Sequence, residues 1–214
     1  MLFSINSKMK KSTNKEYTKI VNFTLPAFMS KTGFKTCPMA GVCASGCYAR
    51  QGAYRFSNVA TKHEANLQAT LQDNFIEQVV NELNKIKPSL VRIHDSGDFY
   101  NEGYLLDWFV IARLMPHIKF YAYTKAVSMV KELHWSIPDN FIIIFSYGGR
   151  EDNLIDKSND RHSFVFESLD ALRAMGYIDV SQDDTKALTP NKRIGLVYHG
   201  TKNYTNTAWN RLTK

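Results

Sequence analysis

The spacing of hydrophobic positions changes period several times along the chain. Ile20-Val21-Asn22-Phe23-Thr24-Leu25, closed by Pro26, reads as a first strand that feeds a glycine- and cysteine-rich loop over 33–47. Residues 57–86 carry a helical pattern in two pieces. Asp73 is a good N-cap, and Phe75, Ile76, Val79, Val80, Leu83 and Ile86 follow at helical spacing until Lys87-Pro88 ends the run. Leu90-Val91-Arg92-Ile93-His94 reads as a strand and Asp95-Ser96-Gly97-Asp98 as its turn. Tyr104, Leu105, Trp108, Phe109, Ala112 and Leu114 then mark one face of an amphipathic helix stopped by Pro116. A third strand over 118–123 ends at Thr124-Lys125, and a helical pattern runs through Leu133. The fourth strand, Phe141–Phe145, is apolar on both faces and ends in Ser146-Tyr147-Gly148-Gly149-Arg150. Weaker signals follow: a strand at 164–166, a helix at 169–175, and a strand at 194–198 ending in His199-Gly200.

Strands that alternate with helices imply βα units with right-handed crossovers and a parallel sheet. About six units fit, fewer than the eight of a full barrel of ~250 residues. The expected fold is therefore α/β and TIM-barrel-like, a partial or short (β/α) barrel of parallel strands, with a doubly wound sheet as the alternative. Expected boundaries are a basic N-terminal arm (1–18), one barrel-like domain (19–200) and a tail (201–214). Nearly every expected strand ends in polar residues or glycine, at the sheet edge where parallel α/β proteins place their sites.

Composition narrows the class. With 44% hydrophobic and 13% aromatic residues in 214, the chain is neither disordered nor low in complexity. The longest apolar run, Phe141–Phe145, is far short of the roughly 20 residues of a membrane helix. Lys8, Lys10 and Lys11 follow the apolar start where a secretory signal would need them first. A cytoplasmic protein, with no membrane partner, is the expectation. The formal charge of +7 permits nucleic-acid contact, but much of the excess sits near the two ends, where solvated basic residues account for it.

The three cysteines lie within eleven residues, as C-x5-C-x3-C at Cys37, Cys43 and Cys47. An odd number argues against a disulfide scaffold. Thiolates suit zinc or iron–sulfur clusters, and Gly41 and Gly46 let the loop fold tightly enough to aim three sulfurs at one centre. Structural zinc wants a second close pair of ligands, which is missing. A 4Fe-4S cluster on three cysteines leaves one iron for another ligand. Around that loop, Arg92 and His94 share a strand face opposite Val91 and Ile93, and so do Tyr121, Tyr123 and Lys125. Lys125 is a candidate anion binder, and the Gly148-Gly149-Arg150 turn is a candidate phosphate cradle.

The motifs Cys37-Pro38-Met39-Ala40-Gly41-Val42-Cys43 with Cys47-Tyr48-Ala49, Arg92–Phe99, Phe120–Lys125 and Ile194–Gly200 resemble a phage family, gene product 88-like, over about residues 20–200. More distantly the chain is similar to radical S-adenosylmethionine proteins, whose cluster cysteines follow the first barrel strand. That resemblance implies S-adenosylmethionine as a second cofactor, a reductant such as a ferredoxin or flavodoxin as partner, and an infected host cell as the setting. Tyr48, His94, Asp95, Ser96, Asp98 and Gly148 would then meet the cofactor, and Lys125, Arg150 and His199 would be catalytic candidates. Three departures stand out: the cysteine spacing is not C-x3-C-x2-C, Tyr48 follows the last cysteine, and Asp95-Ser96-Gly97-Asp98 replaces a Gly-Gly-Glu. Three readings follow. They are a radical-type enzyme, a noncatalytic electron-transfer cluster protein, and a zinc-stabilised nucleic-acid-binding protein that uses Arg50, Arg55 and Lys62.

Overall fold

The structure is a computed structural model that describes residues 1–198; His199 and the tail 201–214 lie outside the described residues. Eight strands form one sheet: β1 (Phe3–Ser4), β2 (Ile20–Phe23), β3 (Leu90–Ile93), β4 (Lys119–Thr124), β5 (Phe141–Ser146), β6 (His162–Phe166), β7 (Ile178–Asp179) and β8 (Arg193–Val197). Their order is β1-β2-β3-β4-β5-β6-β8-β7, parallel throughout except for β1, which runs antiparallel to β2. The succession β2 to β6 has no reversal, so the switch point of a doubly wound sheet is absent among the described residues. The sheet does not close on itself. The fold shown is mixed α/β on an eight-stranded, mostly parallel sheet.

Six helices accompany it among the described residues: α1 (Ser7–Ser12), α2 (Ser57–Thr70), α3 (Phe75–Ile86), α4 (Glu102–Leu114), α5 (Val127–Glu132) and α6 (Leu169–Ala174). Caps set several of their starts. Asn6, Asn101 and Ser168 accept the amide protons of Met9, Tyr104 and Ala171. The expected cap Asp73 does not serve; α3 begins after Asn74, whose side chain makes no capping bond. No helix among the described residues is long and apolar enough to cross a membrane.

Strand alternation divides the interior in two. Val21, Phe23, Val91, Ile93, Phe120 and Ala122 turn toward the helices, where Leu67, Phe75, Leu83, Trp108 and Phe109 complete the larger core. The Trp108 ring meets Phe23 and Phe75 edge-on at 5.1 and 5.7 Å. Ile20, Leu90, Tyr121, Ile144 and Ile194 face the other way and are covered by Met9, Tyr17, Val180 and Ala187. The covering comes from both chain ends. Residues 1–18, expected as a basic arm, are thus built into the domain: Phe3 sits opposite Phe23, and its side chain and that of Met9 are fully buried.

A buried charge network fastens this second layer. Arg92 on β3 points away from the helices and donates from Nη1 to Asp184 Oδ2 at 2.9 Å. Asp184 opens a short 3-10 turn and also accepts from Tyr121 Oη at 2.8 Å and from Lys8 Nζ of α1, 2.5 Å from Oδ1. Its amide proton goes to Ser12 Oγ. Burial pushes the Asp184 pKa up, but Arg92 and Lys8 pull harder, and the net value lies below the ordinary carboxylate range.

Two outcomes follow for stability. Phe3→Ala should cost about 3–5 kcal/mol in urea unfolding, as for other buried aromatics, and a loss under about 1 kcal/mol would mean that β1 does not dock. Asp184→Ala, which leaves Arg92 and Lys8 without their buried anion, should cost about 3–5 kcal/mol. Because the native pKa of Asp184 is depressed, its contribution is complete above the unfolded value near ~3.9 and fades as pH falls through the native one. Circular dichroism on acid titration should therefore show a shallower loss of stability for Asp184→Asn than for the unaltered chain.

Candidate functional site

The site forms at the carboxyl edge of the sheet, where the loop after β2 meets the turns after β3 and β5. Beyond β2 the chain passes Leu25 and Pro26 and makes a small hairpin, Met29 bridging to Lys35, before returning to Phe28, whose carbonyl accepts the amide protons of Thr36 and Cys37. Thr36 is fixed twice more. Its hydroxyl donates to the Pro26 carbonyl at 2.6 Å, and its own carbonyl accepts the Asp98 amide proton at 3.0 Å. Cys37 is therefore positioned by β3's turn as much as by its own loop.

The next stretch is held by the turn after β5. Gly41 and Cys43 donate their amide protons to the Gly148 carbonyl, Arg150 donates its own to the Met39 carbonyl, and Ala40 bridges to Gly149. The approach at Gly41 is so close that a Cβ there would lie 2.6 Å from the Gly149 oxygen. Glycine is required at this crossing. Gly97, with φ +89°, plays the same part against Leu25 in the β3 turn, where a Cβ would lie 2.6 Å from Leu25 Cβ. Cys43 then lies in a 3-10 turn, Val42–Ala44, and Cys47 immediately before another, Tyr48–Arg50.

All three cysteines are half-buried and line one cavity of about 550 Å³. Burial, and then the nearby Asp98 carboxylate, push the Cys37 thiol up to about 12; burial also raises Cys47. Free thiols held protonated are poor nucleophiles, and a bound metal is the agent that would ionise them. Among the described residues no three His, Cys, Asp or Glu side chains converge on a single ion. The described side chains thus form no preassembled metal-binding group; what the three thiols share is the lining of one cavity.

Most of the expected site residues share that cavity: Tyr48, His94, Asp95, Ser96, Asp98 and Lys125 all line it. Asp98 is heavily committed. Its Oδ1 accepts from Thr124 Oγ1 and the Phe99 amide, and its Oδ2 from the Lys125 amide, so it ties the end of β3 to the end of β4. Burial outweighs these bonds and leaves its pKa raised. Asp95 accepts from Tyr54 Oη at 2.6 Å and Asn6 Nδ2 at 3.1 Å, with Arg92 Nη1 at 3.4 Å, while its carbonyl accepts from Tyr48 Oη. Lys125 Nζ donates to Ser146 Oγ at 2.9 Å. It forms no ion pair with Asp95 or Asp98.

His94 departs from the strand alternation. Its φ of +67° is left-handed, and the ring is carried toward α4, where Nε2 meets Tyr104 Oη at 2.8 Å and Phe99 packs edge-on at 4.8 Å. Burial, with Arg92 adding to it, lowers its pKa to about 3, so the imidazole is neutral. Its Nδ1 and the Ser96 hydroxyl are buried without a hydrogen-bond partner. Arg92 keeps the expected inward face.

The phosphate cradle is already filled. The amide protons of Gly148 and Gly149 both go to the Asp152 carboxylate, each at 2.8 Å, which leaves nothing there for an external anion. Gly148 instead braces the cysteine loop, and the Arg150 side chain, also outside the cavity lining, donates to the Ala40 carbonyl at 3.2 Å. His63 and His162 are buried, the latter bonded to Asp160 and Tyr177. Side chains that the sequence did not mark also line the cavity, among them Asn6, Lys8, Tyr54 and Ser146. Only Ser146, at a strand's carboxyl end, carried a local signal for this; the others arrive through long-range packing.

Comparison with known proteins agrees with the motif resemblance. A family model described as Gene product 88 matches residues 1–211. The Gene 88 protein of Mycobacterium phage L5 is 29% identical over 166 residues, 65% of this chain and 68% of the relative. The Gene 88 protein of Mycobacterium phage D29 is 30% identical over 129 residues, 55% of this chain and 53% of the relative. No solved structure matches. On the near-complete span of the family match, the chain belongs to the gene product 88 family.

Proposed function

We propose that this chain is an iron–sulfur protein that holds one 4Fe-4S cluster on Cys37, Cys43 and Cys47, with the iron that lacks a cysteine facing the cavity. The observation that carries this reading is that three cysteines in three different backbone settings all border one cavity, in a loop braced from the turns after β3 and β5. A cluster, when bound, supplies one-electron chemistry at the open iron. The chain's own residues hold and insulate it: Tyr48 and Tyr54 anchor to Asp95, and the Arg92–Asp184 network seats Asp95 below them.

The topology supports a partial (β/α) barrel, since β2-β3-β4-β5-β6-β8 follow in chain order and send their carboxyl ends to this edge. The polar side chains that line the cavity, Asp95, Ser96, Lys125 and Ser146 among them, favour a polar organic ligand beside the cluster. S-adenosylmethionine is the candidate, with Asp95, which already accepts from Tyr54 and Asn6 and would exchange one of these bonds, meeting its ammonium. In this reading a ferredoxin or flavodoxin delivers the electron, in the cytoplasm of an infected cell.

Anaerobic purification with metal and sulfide analysis tests the proposal. About four irons and four sulfides per chain are expected, with loss of both in Cys43→Ala. Negligible iron, or zinc in its place, overturns it. Calorimetric titration of the cluster-loaded protein with S-adenosylmethionine then separates the two cluster readings: binding weakened by Asp95→Ala supports the radical type, and no binding leaves an electron-transfer protein.

A further inference from the structure

Between Glu16 and Glu64 the sequence contains no acidic residue, but it contains Lys19, Lys31, Lys35, Arg50, Arg55 and Lys62. That acid-free stretch includes the whole cysteine loop. Four of its cations, Lys31, Lys35, Arg50 and Arg55, are exposed, and none forms an ion pair among the described residues. The two halves of the group adjoin, since the Arg50 guanidinium lies 5.8 Å from the Phe28 ring at the base of the Met29–Lys35 hairpin. The bordering acid, Glu64, is engaged by the Lys31 amide proton at 2.7 Å.

Exposed apolar side chains interleave with the cations: Met29 is 43% exposed, Tyr48 53% and Phe56 63%. Tyr48 also lines the cavity, so the basic face runs to its rim. Just inside, Asp95, Ser96, Lys125 and Ser146 add polar side chains to the cavity lining.

We propose that this face binds single-stranded nucleic acid across the mouth of the cysteine-lined cavity. Basic side chains would track phosphates, while Tyr48 and Phe56 offer rings on which unpaired bases stack. The cations of this face sit on a hairpin and 3-10 turns and not on a helix that could enter a duplex groove. A cavity of about 550 Å³ has room for an unpaired base, whose edge would meet polar side chains of the lining such as Lys125 and Ser146. An acidic protein docked on the same cations would leave the exposed rings of Tyr48 and Phe56 without stacking partners. As a statement of substrate class this rests on the cluster reading of the cavity; as a statement of binding it does not.

Fluorescence anisotropy of the full chain with a labelled 20-nucleotide DNA and its RNA counterpart tests it. Four phosphate contacts predict a slope near −2.8, or roughly 50-fold weaker binding from 50 to 200 mM salt. Lys35→Glu/Arg55→Glu should abolish most binding and roughly halve that slope. Phe56→Ala should weaken binding about fivefold or more with the slope unchanged. Lys85→Glu/Lys87→Glu, an equal charge change beyond the acid-free stretch, should leave affinity within about twofold. Equal losses in both double variants would mean unspecific attraction and overturn the proposal, as would no binding by the unaltered chain. If nucleic acid does not bind, but Lys35→Glu/Arg55→Glu slows cluster reduction by flavodoxin and not by dithionite, the face is a redox dock and the proposal fails. Iron and sulfide content of the same samples reports the cluster separately, so either reading can fall alone.

Discussion

Arg92 is the residue on which the arrangement turns. A guanidinium on a central strand, facing away from the helices, must be neutralised where it stands, because an isolated buried charge is far costlier than a paired one. Neither neighbouring strand supplies an acid: Asn22 and Tyr121 stand beside it in register. The anions come from elsewhere, Asp95 from the turn ahead and Asp184 from near the other end of the chain. Asp184 in turn takes Lys8, so two cations and two carboxylates balance within the second layer. Such a network is weak evidence for net stability, since apolar side chains of the same volume could fill the space. What it supplies is a preferred arrangement, in which Arg92 on β3 draws in Asp184 and Asp184 in turn draws in Lys8, so that both segments are held across this face.

That constraint reaches the site through Asp95. Held by Arg92 from below and by Asn6 and Tyr54 from the sides, Asp95 fixes the turn whose carbonyl receives Tyr48, the residue next to Cys47. Cys43 is pinned differently, by its backbone bond to the turn after β5, and Cys37 by its bond to Phe28 and by the bond of its neighbour Thr36 to the turn after β3. The thiols are thus positioned by protein contacts that exist without any metal. On the proposed cluster reading, bracing of this kind would lower the ordering entropy that the loop loses on binding.

The alternation of strands and helices was legible because each long element repeats its apolar residues at one period, and all six parallel strands of the main succession fall where that pattern places them. β1, β7 and α1 were not, for two-residue strands and a helix of under two turns contain too few positions to show a period. The inward face of β3 was readable as far as Arg92. His94 broke the alternation because its backbone is left-handed, a state that nothing in its residue type announces. The Gly148-Gly149 turn misled for a local reason: Asp152, a few residues on, curls back to take both amides, so the anion the turn calls for is internal. Lys8 and Asp184 are joined across nearly the whole chain, and one-dimensional spacing cannot express that pairing.

The cysteine loop carries two electrostatic demands that should be told apart. On the proposed reading three thiolates make a bound cluster net anionic, which would favour an acid-free loop, and the exposed Arg50, folded against Phe28 and the Ala44 carbonyl, can answer that need as well as meet a ligand from solvent. Lys35 and Arg55 do not answer the cluster's need. Both are exposed, water and salt screen them from a buried charge, and neither braces the loop with a side-chain hydrogen bond of its own. Positive charge kept on the solvent side, among aromatic rings that burial did not claim, answers to something outside the fold. A polyanion with stacking faces meets both features at once, and the same loop can then serve the cavity with its sulfurs and the ligand with its cations without either role displacing the other.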